Sequence, residues 1–307
     1  SFDSCKSITD FSSLGRQRRL RIDSNLNLID VMNFRFVRTL ILESCYYLKD
    51  VSPLHGVYDL SLLSCSAVSD ISSLGGHHRL EISDCNPILS GYHVLEDIPI
   101  VKLGACNISD VSVLSNAKVV HLDRCNCLVD VSALKRVRDL TLSSCEQIED
   151  ISMLTTVPKL TLTDLPQLKK YEGISQLMNL SFQVNDLKDV MFERFPNAKS
   201  VECFYIPVDN LLQFLPSFTN LHSLSISFAS VYLEASIDIH TIIFKDCSIW
   251  SIRGLGKNCF VKFFHCRVTG LDVSPLATVS SVSIIDCSIE NLMNLQKIPQ
   301  LKIYYHS

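Results

Sequence analysis

The chain of 307 residues predicts an α/β solenoid: a stack of short coils with a parallel β-sheet along one face and short turns, 3-10 or α helices along the other. Three observations predict it. The stretch from Val137 to Leu154, VRDLTLSSCEQIEDISML, recurs in looser copies displaced by about twenty residues along nearly the whole chain. Within a copy, apolar residues stand two apart and then three apart, as in Val137, Leu140, Leu142, Cys145 and Ile148. That spacing fits a short strand followed by a turn, and neither a long helix nor a hairpin repeats that way. Asp-Ile-Ser or Asp-Val-Ser then recurs at the opposite side of the coil.

This pattern resembles the leucine-rich repeat, L-x-x-L-x-L-x-x-N/C-x-L, and the recurring Asp-Ile-Ser/Asp-Val-Ser resembles the short repeats of internalin-like and phosphatase-regulator proteins. The resemblance covers nearly the whole chain. It implies a right-handed superhelix with the sheet on the concave face and the turns or short helices on the convex face. It also implies a protein-interaction module and not an enzyme, and it carries over no catalytic residue.

Composition agrees. Apolar residues make up 47% of the chain and charged residues 20%, with few Gly and Pro, so there is core material and no linker. A solenoid grows by adding coils, so length sets repeat number and one domain over residues 1–307 is expected: regular repeats at 1–159, irregular at 160–240 and regular again at 241–307. No apolar run approaches the ~18–20 residues of a membrane helix, and SFDSCKSITD at the start has neither Met nor a signal-peptide core. A net charge of −4, with Lys and Arg read as scattered, argues against nucleic acid or an anionic membrane as main partner.

In chain order, Phe2 and Cys5 place a first coil already in progress, with no polar cap before it. Missing upstream residues or a covering partner are expected there. Regular coils begin near Leu20, Leu40, Leu60, Leu80, Val101, Val120 and Leu140, each with an inward partner two residues on: Ile22, Leu42, Leu62, Ile82, Leu103, Leu122 and Leu142. In Ser52-Pro53-Leu54 and Ser274-Pro275-Leu276 the Ser reads as an N-cap and the Pro as a first helical residue. Asp50, Asp70, Asp110, Asp130 and Asp150 read as binders of the turn's N–H groups. From Leu160 to about His240 the template loosens: Leu165 and Val184 take the Cys place, and Asp209 to Leu215 has helical spacing. Strands return at Ile242, Val261, Val282 and Leu301, and the chain stops without an obvious cap. About fifteen strands at ~4.8 Å would span on the order of 70 Å.

Ten of the 13 cysteines (Cys5, Cys45, Cys65, Cys85, Cys106, Cys125, Cys145, Cys247, Cys266 and Cys287) fall at the Asn/Cys position, and Asn25 takes that place in the second coil. Stacked thiols on parallel coils point the same way, which is poor disulfide geometry. Free buried thiols and a cytoplasmic or other reducing compartment are therefore expected. Cys125-x-Cys127 and the group Cys259, His265 and Cys266 lack the paired spacing of a zinc site, so no metal is expected.

No phosphate loop, nucleophile elbow or zinc-protease helix occurs, and no cofactor is implied. His121, Asp123 and Arg124 form the most catalytic-looking group, on the outer side of one strand, and read better as a solvated patch. The outer face separates into two characters. Its first half is small or acidic, whereas Phe204, Tyr205, Phe228, Lys245, Lys262, Phe264, His265, Tyr304 and Tyr305 place aromatic and basic side chains outward in the C-terminal half. Exposed aromatics in a column mark a partner site; a one-residue slip in the loose middle would instead exchange faces. The expected function is a non-enzymatic module binding a protein partner on its sheet face. A structural subunit of a large assembly and an extracellular adhesion or receptor ectodomain are the alternatives.

Overall fold

The structure, a computed structural model, describes residues 2–3, 10–25, 27–86, 88–174, 180–184, 199–204, 221–233, 239–256, 259–268, 276, 278–289 and 300–304. The chain divides into two compact units, Ser1–Glu172 and Gly173–Ser307. In the first, strands β1 (Phe2–Asp3), β2 (Arg19–Asp23), β3 (Thr39–Glu43), β4 (Asp59–Leu63), β5 (Arg79–Ser83), β6 (Ile100–Gly104), β7 (Val119–Asp123), β8 (Asp139–Ser143) and β9 (Lys159–Thr163) pair side by side, all parallel. In register, Leu20, Leu40, Leu60 and Leu80 stand opposite one another, as do Ile22, Leu42, Leu62 and Ile82. These side chains are buried, as alternation requires, and removing each from water stabilises the coil by roughly 1.5–3 kcal/mol. No coil can bury them alone; the neighbouring coil completes each layer.

The residue just after each of β2 to β9, at the position before Cys, Asn or, at the last, Leu165, has a left-handed backbone. Ser24, Ser44, Ser64, Asp84, Ala105, Arg124, Ser144 and Asp164 have φ between 46° and 54°. This conformation costs an L-residue roughly 1–2 kcal/mol. It is offset because the N–H so turned meets a carbonyl of the next coil, as in Ser44 to Leu63 (2.8 Å) and Arg124 to Ser143 (2.9 Å). The turn then drops the Cys inward. Cys145 Sγ donates between the carbonyls of Ser143 (3.3 Å) and Leu122 (3.7 Å), and Cys65, Cys85, Cys106 and Cys125 repeat the geometry. Burial pushes the thiols of Cys85 and Cys106 up to about 12 and about 11. Asn25 fills the same place with an amide whose Oδ1 accepts from Asn27 N–H at 2.8 Å.

Opposite the sheet, this unit uses 3-10 turns such as Ser52–Gly56, Ser132–Arg136 and Ser152–Leu154; no α-helix occurs among the described residues. Ser52 is the first helical residue and makes no side-chain cap, contrary to the N-cap expected of it. The cap comes from the aspartate two residues earlier. Asp10, Asp50, Asp70, Asp110, Asp130 and Asp150 each accept the N–H of the following Ser at 2.8–2.9 Å, and Asp30 accepts that of Met32. Ser274 and Pro275 lie outside the described residues.

Hydrogen bonds from that serine hold Asp10, Asp50, Asp70, Asp110 and Asp150 below the ordinary value of 3.8. Because the folded values lie below the unfolded ones, their stabilisation is complete above about pH 3.8 and is lost as pH falls through the folded values. The variant carrying Asp50, Asp70, Asp110 and Asp150→Asn keeps an amide oxygen for the cap but cannot titrate. Its urea midpoint is expected to fall less between pH 7 and pH 3 than that of the parent chain; an equal fall would show that these turns are not the acid-sensitive element.

The second unit pairs β10 (Leu180–Val184), β11 (Ser200–Phe204), β12 (Ser223–Ser227), β14 (Thr241–Lys245), β16 (Phe260–Phe264), β18 (Ser281–Ile285) and β20 (Leu301–Tyr304), again parallel. Phe182 lies opposite Val201 and Val184 opposite Cys203, so Val184 is a strand residue and does not take the Cys place expected of it. After the Cys position the chain extends instead of turning. The extensions β13 (Ser230–Tyr232), β15 (Ser248–Ser251), β17 (Arg267–Val268) and β19 (Ser288–Ile289) form a second parallel sheet. Val231, Ile249 and Val268 point into the core, while Tyr232 and Trp250 stack outside with centroids 6.1 Å apart. The helix expected at Asp209 to Leu215 lies outside the described residues.

Candidate functional site

On the sheet of the second unit, register sets corresponding residues of neighbouring strands in columns. The end-of-strand column runs Phe204, Ser227, Lys245, Phe264, Ile285, Tyr304, and the middle column Glu202, Ser225, Ile243, Lys262, Ser283, Lys302. Four expected site residues, Phe204, Lys245, Phe264 and Tyr304, thus share one column. Lys262 is exposed at mid-strand. Phe228 and His265 do not lie on strands: with Asp246 and Asp286 they form the left-handed column after them, at φ 49–55°. Tyr205 and Tyr305 lie outside the described residues.

Phe264, Ile285 and Tyr304 line an open groove of about 410 Å³ whose rim is His265 and Asp286. His265 stands between two carboxylates, Nδ1 3.7 Å from Asp246 and Nε2 3.7 Å from Asp286. Tyr304 is 50% exposed, and Phe264 and Ile285 are half-buried. The floor is therefore apolar and wet, held by a row of polar turn residues.

The first unit has a different surface. Several of its outward residues pair with one another: Arg21 with Glu43 (2.5 Å), Arg79 with Glu81 (2.6 Å) and Lys159 with Asp139 (2.8 Å). Such exposed pairs contribute little, about 0–1 kcal/mol each. Arg124 does not join His121 and Asp123 in an acid–base group. Its Nε holds Asp123 at 2.9 Å and its fork reaches Asp84 at 3.1–3.2 Å, passing over the intervening coil, where Gly104 and Ala105 leave room. His121 is half-buried, and burial first, then Lys102, lowers its proton affinity. Beside it, Gly104 leaves a notch of about 240 Å³ lined by Glu81, Ser83, Lys102, His121 and Asp123. A Cβ at Gly104 would land on Ser83 Oγ. Spacing in one strand pointed to His121 and Asp123; Gly104, one coil from Arg124 and one from Asp84, carried no signal by itself.

A parallel sheet, coils of about twenty residues and a buried Cys row give a parallel β-solenoid, the architecture that the leucine-rich-repeat pattern leads one to expect. Neither protein-family models nor curated proteins give a match. Solved structures do. One is the functional domain of InlJ from Listeria monocytogenes, which includes a cysteine ladder, at 13% identity over 93% of this chain and 71% of that one with a TM-score of 0.41. Another is the LRR protein LIC12759 of Leptospira interrogans, at 12% identity, 96% and 98% coverage and a TM-score of 0.39. Among the described residues, no helix is long and apolar enough to cross a membrane.

Proposed function

We propose that the chain is a non-enzymatic protein-interaction module whose partner docks on the sheet face of the second unit. The observation that carries this is the groove of Phe264, Ile285 and Tyr304. Water gains nothing from contact with these three side chains, and a partner's apolar side chain seated there would exclude it. Aromatics at the centre with charged residues at the rim is the arrangement in which a few side chains carry most of the binding energy. Lys262 and Lys245 add charge for orientation, and His265 with its flanking aspartates fixes the rim. Phe228 extends the same surface in this reading, and Phe204, Tyr205 and Tyr305 are assigned to it from the sequence pattern alone. Thiols that donate to carbonyls suit a reducing compartment, where the chain is placed by the same reading.

The test pairs Phe264→Ser with Tyr304→Ser. A partner is captured from the native source, identified by mass spectrometry, purified and titrated against both chains. Because both residues keep contact with water, the melting curve is expected to hold while affinity falls at least ~30-fold, the scale of a hot-spot loss of about 2 kcal/mol. Undiminished affinity in a folded variant removes the site. Loss of folding would assign the two residues to the core.

A further inference from the structure

We propose that the edge of the first unit's sheet where β2 to β5 begin binds an acidic segment of a protein. Between residues 16 and 38 the sequence holds six arginines, at 16, 18, 19, 21, 35 and 38, against two acidic residues, Asp23 and Asp30. Lys and Arg are therefore not scattered here, although the chain as a whole is acidic. All six are exposed. Arg21 is taken by Glu43; among the described residues Arg16, Arg18, Arg19, Arg35 and Arg38 have no carboxylate partner.

The fold turns this stretch of chain into a surface. Thr39 N–H bonds to the Arg18 carbonyl (3.1 Å), Asp59 N–H to that of Arg38 (2.9 Å) and His78 N–H to that of Tyr58 (2.9 Å). The ladder thus continues one residue ahead of the strands, and Arg18, Arg38, Tyr58 and His78 form one row at the coil spacing of ~4.8 Å. The Arg38 guanidinium lies over the Tyr58 ring at 4.9 Å, and Tyr58 stacks on His78 at 4.6 Å and 6°. Arg35 likewise lies over Phe36 at 4.6 Å. Stacking holds each guanidinium plane and leaves its N–H edge to bond an oxyanion, the geometry that suits bidentate carboxylate recognition. Asp59, at the start of β4, is already engaged by His78 (3.2 Å) and Thr39 (3.5 Å).

The same stacking decides between anionic partners. Single-stranded nucleic acid uses open aromatic faces for its bases. Here Tyr58 is already stacked with Arg38 and His78, and Arg35 takes one face of Phe36. Beside the arginines, Phe36 (73% exposed) and Met32 (54%) offer apolar surface to a hydrophobic side chain within an acidic sequence. This surface belongs to the first unit and does not depend on the groove at Phe264.

The test uses the full chain and a fluorescent peptide of about a dozen residues, repeating Glu-Glu-Leu, with oligothymidylate of equal charge as comparison. The peptide is expected to bind at about 50 mM salt and to weaken as salt screens the charges. Arg18→Glu with Arg38→Glu should lower peptide affinity at least ~10-fold, whereas Arg136→Glu, an exposed arginine elsewhere in the unit, should leave it unchanged. The neutral pair Arg18→Gln and Arg38→Gln should lose part of the same affinity and serves if the reversed pair does not fold. No peptide binding, an equal loss from Arg136→Glu, or tighter binding of oligothymidylate than of peptide would each overturn the proposal.

Discussion

Phe244→Ala is expected to lower the unfolding free energy of the second unit by about 3–5 kcal/mol. Phe244 is the second inward residue of β14, fully buried, and its ring stacks on Phe263 of β16 at 5.3 Å and 16°. Truncation removes the transfer energy of the ring and leaves a cavity between two coils. The rigid ladder from β12 to β18 holds those coils at fixed spacing, so the gap cannot close. Phe228→Ala is the control, because that side chain is 47% exposed and should change stability by less than about 1 kcal/mol. Urea titration followed by circular dichroism reads both. Because repeat arrays need not unfold in one step, the expected signature is an earlier transition for part of the signal, not a shift of the whole. Equal effects of the two substitutions would mean that Phe244 is not a core residue.

Gly91→Ala is expected to cost about 2–4 kcal/mol, and Gly76→Ala only about 1 kcal/mol. Both glycines have positive φ, 79° at Gly76 and 90° at Gly91. Nothing lies near a Cβ added at Gly76, whereas one at Gly91 would land on the backbone nitrogen of Ser72 and 2.9 Å from Asp70 Oδ1. The pair therefore separates backbone strain from steric clash. Gly91 has this role because its coil carries an extra residue. Leu80 pairs with Val101, twenty-one positions on, where Leu60 pairs with Leu80 at twenty. The excess is taken up at the start of the 3-10 turn Tyr92–Asp97, where Gly91 swings the chain and presses against the Asp70 cap. Urea midpoints of the two variants should differ severalfold in their displacement; equal displacements would leave strain alone as the cause.

Much of the fold was legible because its determinants are local and repeated. Leu40, Leu42, Cys45 and Asp50 each meet the same need in every coil, so their spacing alone assigns strand, turn and cap. The aromatic C-terminal surface was legible in part: alternation put Phe264 and Tyr304 outward. It put Phe228 and His265 outward too, but the left-handed turn that holds them was not legible, because no residue type marks a position that takes Ser, Asp, Ala, Arg, Phe and His alike. Only the carbonyl waiting on the next coil fixes that conformation. At β10, Val184 read as the Cys place, and only the pairing of Phe182 with Val201 and of Val184 with Cys203 makes it a strand residue.

The sequence by itself determined the coil: which side chains go in, where the thiol turns and where an aspartate caps the next turn. Tertiary structure decided what meets between coils, because partners there stand twenty or forty residues apart and depend on what the coil between them lacks. Arg124 reaches Asp84 only because Gly104 and Ala105 are small. Arg18, Arg38, Tyr58 and His78 become one surface only because stacking sets them one coil apart, while the net charge of −4 averages that surface away. The groove at Phe264 exists for the same reason, its walls being three residues from three successive strands of one sheet.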